Sequence, residues 1–290
     1  MQQQFDESAV HYENAIALGD ATRTTHAELA SVYDVTQRYD DAIRIYRYFL
    51  NLHPQDASMH QELGLTLMLT KRYKESVLSL AEAYRLAPQS AQVEEDYAYA
   101  LLSAGKTSEA EQHLLQVLKQ HGDRPIALQH LAQLSAARGD TDAAVSLLSR
   151  SIAISNQDPR PVRMRARVRI LAGDLNGALA DYQMLLRALP TDPGALLGAS
   201  GVQIQLDKLD DAAVTIDRLQ QATGQSELVD YRRAQIAWRR GAPQAVAVIG
   251  RFAELHPEIA EAWSELEAAA TKHKMSALAK RAAARRRSVK

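Results

Sequence analysis

The chain of 290 residues contains no cysteine, which excludes disulfides and thiolate metal sites. Aromatic residues are also few, at 6%. No apolar run approaches the roughly 20 residues that a membrane-spanning helix needs, so we expect no insertion into a membrane. The first residues lack the basic start and apolar core of a signal peptide. The hydrophobic fraction, 46%, is ordinary for a soluble protein.

Catalytic motifs are absent as well. The sequence has no glycine-rich phosphate loop, no His-Glu-x-x-His, no nucleophile elbow and no paired-carboxylate motif. The nine histidines are scattered, and no two lie at positions i and i+4. We therefore predict that the chain is not an enzyme and has no catalytic, cofactor or metal site.

Charge is distributed unevenly along the chain. The net charge is −1, but after Glu267 there is no acid and there are eight Lys or Arg residues. This basic tail could contact nucleic acid or an anionic membrane surface. A solvated, partly frayed terminal helix is the favoured alternative, because the tail has no aromatic residue to stack on bases.

Small, turn and loop residues recur with a period of 34. Pro54 and Pro88 are one period apart, and Pro190 follows three periods later. The same spacing relates two further series, Gly105, Gly139 and Gly173, and Ala110, Ala144, Ala178 and Ala212. A period of 34 predicts a solenoid of helix–turn–helix units.

The period divides the chain into units of two helices. Residues 1–22 match the second helix of a truncated repeat, which favours excision from a longer protein or loss of an upstream segment. Residues 260–290 predict capping helices with the basic tail, because solenoids need a polar last unit. Between them, residues 23–259 form seven units that start near 23, 57, 91, 125, 159, 193 and 227. The seventh unit lacks one residue between Gly241 and Pro257, which predicts a shortened second helix or turn.

Two positions of every unit are small, the eighth and the twentieth, one on each predicted helix. Small residues at facing positions let helix axes approach closely. A bulky residue there is expected to overpack, at about 1–3 kcal/mol. The eighth positions are Ala30, Gly64, Ala98, Ala132, Ala166, Ser200 and Ala234, and the twentieth are Ala42, Ser76, Ala110, Ala144, Ala178, Ala212 and Ala245.

The pattern resembles the tetratricopeptide repeat. In the unit from 23, the family's motif stands as Leu29-Ala30, Tyr33, Tyr39-Asp40-Asp41-Ala42, Tyr46 and Pro54. The resemblance covers essentially the whole chain. It implies an all-α fold, a right-handed superhelical solenoid of antiparallel helix pairs. It also implies a non-enzymatic scaffold whose first helices line a groove, with positions 2, 5, 9 and 12 of each unit facing a partner.

Carried onto this sequence, those groove positions include an arginine stripe, Arg160, Arg163 and Arg167. Their spacing places them on one face of a helix, where guanidiniums could bind carboxylate or phosphate. Arg165 and Arg169 lie on the other side. The alternative is that the arginines pair internally with Asp142, Asp174 or Asp181, because charges near a helix interface usually need partners.

Other groove positions are polar or aromatic, namely Tyr99, Gln133, Tyr231 and Trp238. Tyr231 and Trp238, with Leu197, Ile204 and Leu228, could form a patch that grips an apolar or helical peptide. The alternative is that these five side chains pack within the solenoid or against the cap.

The predicted function is a scaffold that binds a peptide segment or domain of another protein in its groove, for assembly or secretion. A first alternative is binding of an anionic polymer, nucleic acid or acidic polysaccharide, through the arginine stripe and the tail. A second is the adaptor region of a larger enzyme or export protein. Composition is compatible with a bacterial source, and similarity to repeat domains of bacterial export systems favours the cell envelope or periplasm, with the cytoplasm as alternative.

Overall fold

The computed structural model describes residues 2–20, 22–155 and 157–289, and these residues form helices joined by short turns. The chain divides into two compact units, residues 1–156 (unit 1) and 157–290 (unit 2). Unit 1 contains α1 (Gln2–Ala17), α2 (Arg23–Val35), α3 (Tyr39–Leu52), α4 (Ala57–Leu69), α5 (Tyr73–Leu86), α6 (Ala91–Ser103), α7 (Thr107–His121), α8 (Pro125–Ala137) and α9 (Thr141–Ile154). Unit 2 contains α10 (Pro159–Leu171), α11 (Leu175–Ala188), α12 (Pro193–Gln205), α13 (Leu209–Thr223), α14 (Glu227–Arg239), α15 (Ala245–Leu255), α16 (Ala260–Lys272) and α17 (Ser276–Ser288).

Each even-numbered helix from α2 to α16 is the first helix of a pair, and most of them start at a side-chain cap. Asp56 accepts a hydrogen bond from the backbone N–H of Met59 at 2.9 Å, and Asp192 accepts one from Ala195 at 2.6 Å. Such caps satisfy N–H groups that have no partner inside the helix. The capping residues recur with the period of the sequence: Thr22, Asp56, Ser90, Asp158, Asp192 and Ser226.

The turn within each pair has one left-handed residue, at the fifteenth position of the 34-residue repeat. Glycine occupies this position in four repeats, but Lys71 adopts the same conformation with φ of 59°. The next residue, Arg72, donates its N–H to the carbonyl of Leu67, five residues back, at 2.9 Å. This pattern ends a helix in a Schellman motif, which requires a positive φ. The remaining members of the series are Gln37, Gly105, Gly139, Gly173, Asp207, Gly241 and Lys274.

The small residues of the eighth and twentieth positions are buried where paired helices cross. Ser76 donates its hydroxyl proton to the carbonyl oxygen of Gly64 at 2.8 Å. A Cβ atom added at Gly64 would lie 2.5 Å from Cγ of Leu80, which is completely buried. The predicted close approach of the two helices is confirmed, because α4 and α5 leave no room for a side chain at this point.

Loop prolines lie two residues beyond the second helices α3, α5, α11 and α15, at Pro54, Pro88, Pro190 and Pro257. A proline there stops the helix from continuing. Helix α15 has 11 residues, whereas α3 to α13 among the second helices have 14 or 15. The residue missing from the seventh 34-residue repeat therefore shortens the second helix of that repeat.

The core of unit 2 is best developed at its C-terminal end, where Trp263 and Leu266 of α16 are buried with Phe252 of α15. Helix α17 packs on this core through Ala282. Among the described residues, no helix has both the length and the apolar character needed to cross a membrane.

Candidate partner-binding surface

Neighbouring first helices contact one another within each unit and form a surface that we call the first-helix face. In unit 1, Thr66 of α4 donates its hydroxyl proton to Asp34 of α2 at 2.9 Å. Gln61 of α4 donates to Asp96 of α6 at 2.6 Å. Side chains thus bridge three successive first helices, and a ligand on this face would touch several repeats at once.

Tyr99 and Gln133, predicted groove residues, lie on the first-helix face of unit 1. The Tyr99 side chain is 46% exposed and stacks on His130 of α8, with ring centroids 5.1 Å apart. Gln133 is exposed, and its Oε1 lies 3.2 Å from Nδ1 of His130. Burial of the imidazole lowers the pKa of His130. The structure therefore brings Tyr99, His130 and Gln133 together as one exposed aromatic and polar cluster.

Carboxylates lie beside this cluster on the same face. Burial raises the pKa of Asp34, although the hydroxyls of Thr66 and Tyr46 oppose the rise by donating to it. Burial also raises the pKa of Asp96. Loss of water around Glu62, together with the negative charges of Asp34 and Asp96, raises the pKa of Glu62. Asp34 and Asp96 are thus each close enough to repel Glu62, and neutral groups make the hydrogen bonds of the two aspartates.

The arginine stripe of unit 2 is only partly available to a partner, because two of its arginines pair with carboxylates of the chain. Arg160 is exposed and pairs with the cap residue Asp158 at 2.9 Å. Arg163 pairs with the cap residue Asp192 at 3.1 Å, across α10 and α12, and its charge helps to hold the pKa of Asp192 below the usual range. Two of the three arginines thus stabilise the starts of first helices, a role that the sequence analysis did not predict.

Arg165 and Arg169, on the other side of α10, pair with acids inside the solenoid, which is the alternative given in the sequence analysis. Asp181 of α11 is 1% exposed; its carboxylate accepts from Arg165 at 2.6 Å and lies 2.8 Å from Arg169. Arg169 also lies 3.5 Å from Asp174. The buried acid is paired on both sides, which is what burial of a carboxylate requires.

Arg167 is the member of the stripe that stays available. It is exposed at the ninth position of α10, and no carboxylate lies within 4 Å of it among the described residues. A guanidinium in this state can form forked hydrogen bonds with a carboxylate or phosphate of a partner.

Tyr231 and Trp238 of α14 lie in the core of unit 2. The Tyr231 side chain is 3% exposed and stacks on Phe252 with centroids 4.0 Å apart. Trp238 is 8% exposed, and its indole N–H donates to Glu265 at 2.7 Å. Ile204 is also buried. The rings of Tyr231 and Trp238 pack inside the solenoid, because α16 covers α14. This is the alternative that the sequence analysis gives for the apolar patch.

The basic tail forms α17. Arg281 pairs with Glu254 at 2.7 Å, and Arg286 lies 3.3 Å from Glu267. Arg285 and Arg287 are exposed. About half of the arginines of this helix therefore hold it against the preceding pair.

Sequence reasoning missed Asp34, Glu62 and Asp96 as surface groups of interest. Their signal was present: α2, α4 and α6 carry six Asp or Glu residues and a single Lys or Arg, Arg23. Thirteen-residue helices with few cations are unremarkable singly, and only the contacts between first helices show that their acids share one surface.

Comparison with known proteins agrees with this architecture. Residues 27–91 and residues 101–168 each match a tetratricopeptide repeat family model. No curated protein matches the chain in sequence.

Solved structures share the fold. A chain of the APC/C hetero-tetramer Cut9–Hcn1 is 13% identical, with a TM-score of 0.62 over 91% of this chain and 52% of that one. The present chain therefore spans about half its length. The type IV pilus biogenesis factor PilW is 21% identical, with a TM-score of 0.63 over 71% of this chain and 96% of PilW. A tetratricopeptide repeat protein from Parabacteroides merdae is 12% identical, with a TM-score of 0.55 over 92% and 99%.

The period, the capped helix pairs, the two family matches and the shared fold lead to one assignment: the chain contains tetratricopeptide repeats, matched over residues 27–91 and 101–168, in a helical solenoid of that fold.

Proposed function

We propose that the chain is a non-enzymatic scaffold that binds a segment of a partner protein on its first-helix faces during assembly or secretion. The fold supports the general role, because tetratricopeptide repeats serve as interaction scaffolds. PilW, which has this fold, is named as a biogenesis factor, and an assembly role of that kind is what we propose here.

The observation that carries the proposal is the exposure of functional side chains on first helices. Tyr99 and Gln133 of unit 1 and Arg167 of unit 2 stay at the surface. Their neighbours Arg165 and Arg169 are held by Asp181. A surface that is preformed in this way binds with little ordering of the receptor.

A protein segment suits the arginine stripe better than an anionic polymer does. Polymer binding draws on many unpaired cations and weakens steeply with salt. Arg160 and Arg163 already have carboxylate partners, so Arg167 supplies one contact to an acidic group. We expect the affinity for the protein partner to change modestly between low and moderate salt.

Site-specific photo-crosslinking in cells of the source organism tests the proposal. A photoreactive residue replaces Tyr99 or Arg167 on first helices. The matched controls replace Leu78 of α5 and Val214 of α13, second-helix residues that are 72% and 62% exposed. Discrete partner adducts, identified by mass spectrometry, are expected from the first-helix positions and not from the controls.

Two results would contradict the proposal: equal adducts from both kinds of helix, or no adduct from any first-helix position. A partner obtained by crosslinking is then purified and its affinity measured. Arg167→Glu should weaken binding of a partner that contacts unit 2, whereas Arg187→Glu, at an exposed residue of α11, should leave it unchanged.

A further inference from the structure

We propose that the first-helix face of unit 1 binds an extended cationic segment of a partner protein, with Lys or Arg at every third residue. This inference rests on the proposed scaffold function and assigns the chemistry of one partner segment. It is carried by the distribution of charge, the register of the acids, the unpaired oxygens and the spacing of the helices.

The first helices of unit 1 are acidic as a set. Across α2, α4, α6 and α8 there are six Asp or Glu residues and a single base, Arg23. Arg23 is engaged with the cap residue Asp56 at 3.1 Å. Two of the six acids, Glu94 and Glu95, are paired with His113 and Arg124, but the other four form no ion pair among the described residues. Carboxylates that lack counter-ions on one face favour a partner of the opposite sign.

The acids lie in register. Glu28, Glu62 and Asp96 occupy the sixth position of three successive first helices, and His130 occupies that position in the fourth. Glu28 and Glu62 are exposed, and Asp96 is half-buried. A partner chain that crosses the helices therefore meets one carboxylate on each of three helices, and then the exposed ring of Tyr99 stacked on His130. An aromatic face also attracts cations.

Hydrogen bonds within the unit leave these acids incompletely satisfied. Glu62 has no hydrogen bond or ion pair among the described residues. Asp96 receives only the amides of Gln61 and Gln92. Burial and the negative charge of Glu95 raise the pKa of Asp96, and no cation opposes that rise.

Two buried oxygens on the same face have no donor. Glu95, next to Asp96, is 1% exposed; Arg124 donates to its Oε2 at 2.7 Å, while its Oε1 receives no hydrogen bond from any described residue. Oδ1 of Asp34 is also buried without a donor. Buried acceptors without donors are unfavourable. Both oxygens are shielded from solvent, so a cation of a partner at the surface would offset their negative charge without a direct hydrogen bond.

The spacing of the helices selects the form of the partner. Axes of packed helices lie about 8–10 Å apart. A polyproline-II segment advances about 9.3 Å per turn of three residues, so every third side chain points to the same side. Cations at every third residue therefore match the row of carboxylates, whereas adjacent cations would match only one of them.

Fluorescence anisotropy with a synthetic peptide tests the inference. The probe is three Lys-Pro-Ala repeats with a dye at its N-terminus, titrated with the full chain at neutral pH and low salt. Two peptides serve as controls: one has the same composition with its three lysines adjacent, and the other has Glu in place of Lys. We expect the probe to bind at least fivefold more tightly than either control.

The protein variant that removes the row is Glu62→Gln with Asp96→Asn. Its matched control, Glu109→Gln with Asp142→Asn, removes the same charge from the second helices α7 and α9. The first variant should weaken the probe at least fivefold and the control should leave it unchanged, with circular dichroism confirming that both are folded. Three results would each overturn the inference: no binding of the probe, equal binding of the adjacent-lysine peptide, or equal effects of the two variants on binding.

Crosslinking distinguishes this inference from the scaffold function on which it rests. If Tyr99 captures a partner segment without cations, the cationic segment is wrong and the scaffold function stands. If no first-helix position captures a partner, both are contradicted. Sedimentation of the chain alone provides one more outcome: self-association that Glu62→Gln with Asp96→Asn abolishes would make a second copy the occupant and overturn a separate partner.

Discussion

The crossing of α4 and α5 allows the close-packing argument to be tested with one substitution at two sites. Gly64→Ala adds a Cβ atom 2.5 Å from Leu80 Cγ and 3.0 and 3.1 Å from its two methyl carbons. Leu80 is completely buried, so moving its side chain aside disturbs the close packing of the residues around it. Overpacking of this kind costs about 1–3 kcal/mol.

Gly250→Ala is the matched control. Gly250 lies within α15, and a Cβ atom there would lie 3.6 Å from the nearest atom of Leu266, an ordinary van der Waals distance. Replacing a helical glycine by alanine stabilises a helix by about 1 kcal/mol. That gain applies at both sites and cancels in the comparison. We therefore expect the two variants to differ in stability by about 1–3 kcal/mol, with Gly64→Ala the less stable.

The measurement has to be local, because repeats unfold partly independently. Native-state hydrogen exchange with mass spectrometry reports protection of α4 and α5 in one variant and of α15 and α16 in the other, each against the parent chain. Urea unfolding monitored by circular dichroism gives the global change. Equal shifts in free energy for the two variants would refute the claim that Leu80 closes the site at Gly64.

Three further predictions concern the turns, the buried acid and pH. Lys71→Gly should stabilise the chain by up to about 1 kcal/mol in urea unfolding, because glycine adopts positive φ without strain; Gly105→Ala should destabilise it, and the reverse order would contradict the Schellman geometry. Asp181→Asn should cost about 3 kcal/mol, since it leaves Arg165 and Arg169 without their carboxylate; a neutral result would show that water replaces the pairing. Glu62→Gln should raise the urea midpoint at pH 7. A raised folded-state pKa means that stability is present below the unfolded value of 4.5 and is lost as pH rises through the folded value, so the gain should vanish near pH 4.

The repeat itself could be predicted from the sequence in detail. The small residues at positions such as Ala30 and Ala42 are buried, and Pro54 and Pro88 follow helix ends. These features are local or strictly periodic, so the register alone identifies them. Lys71 was not predicted to be left-handed, because its side chain does not reveal a turn that glycine marks in the equivalent position of other units.

The candidate surface could be predicted only in part. Arg160, Arg163 and Arg167 were recognised as one stripe, but their spacing does not reveal that cap residues of α10 and α12 pair with two of them. Tyr231 was placed in the groove by its position, yet it is buried beside Phe252. Residues of other helices decide the outcome for Arg163 and Tyr231: Asp192 lies 29 residues from Arg163, and Phe252 lies 21 residues from Tyr231.

The sequence by itself determined the period, the helix pairs, the turn positions and hence the resemblance to tetratricopeptide repeats, because each depends on residues within one repeat of 34. Tertiary structure alone decided which charges are available. Asp181 removes Arg165 and Arg169 from the surface, while Glu62 remains without a cation. Pairing of charges depends on distances between helices, and no spacing within the sequence specifies those distances.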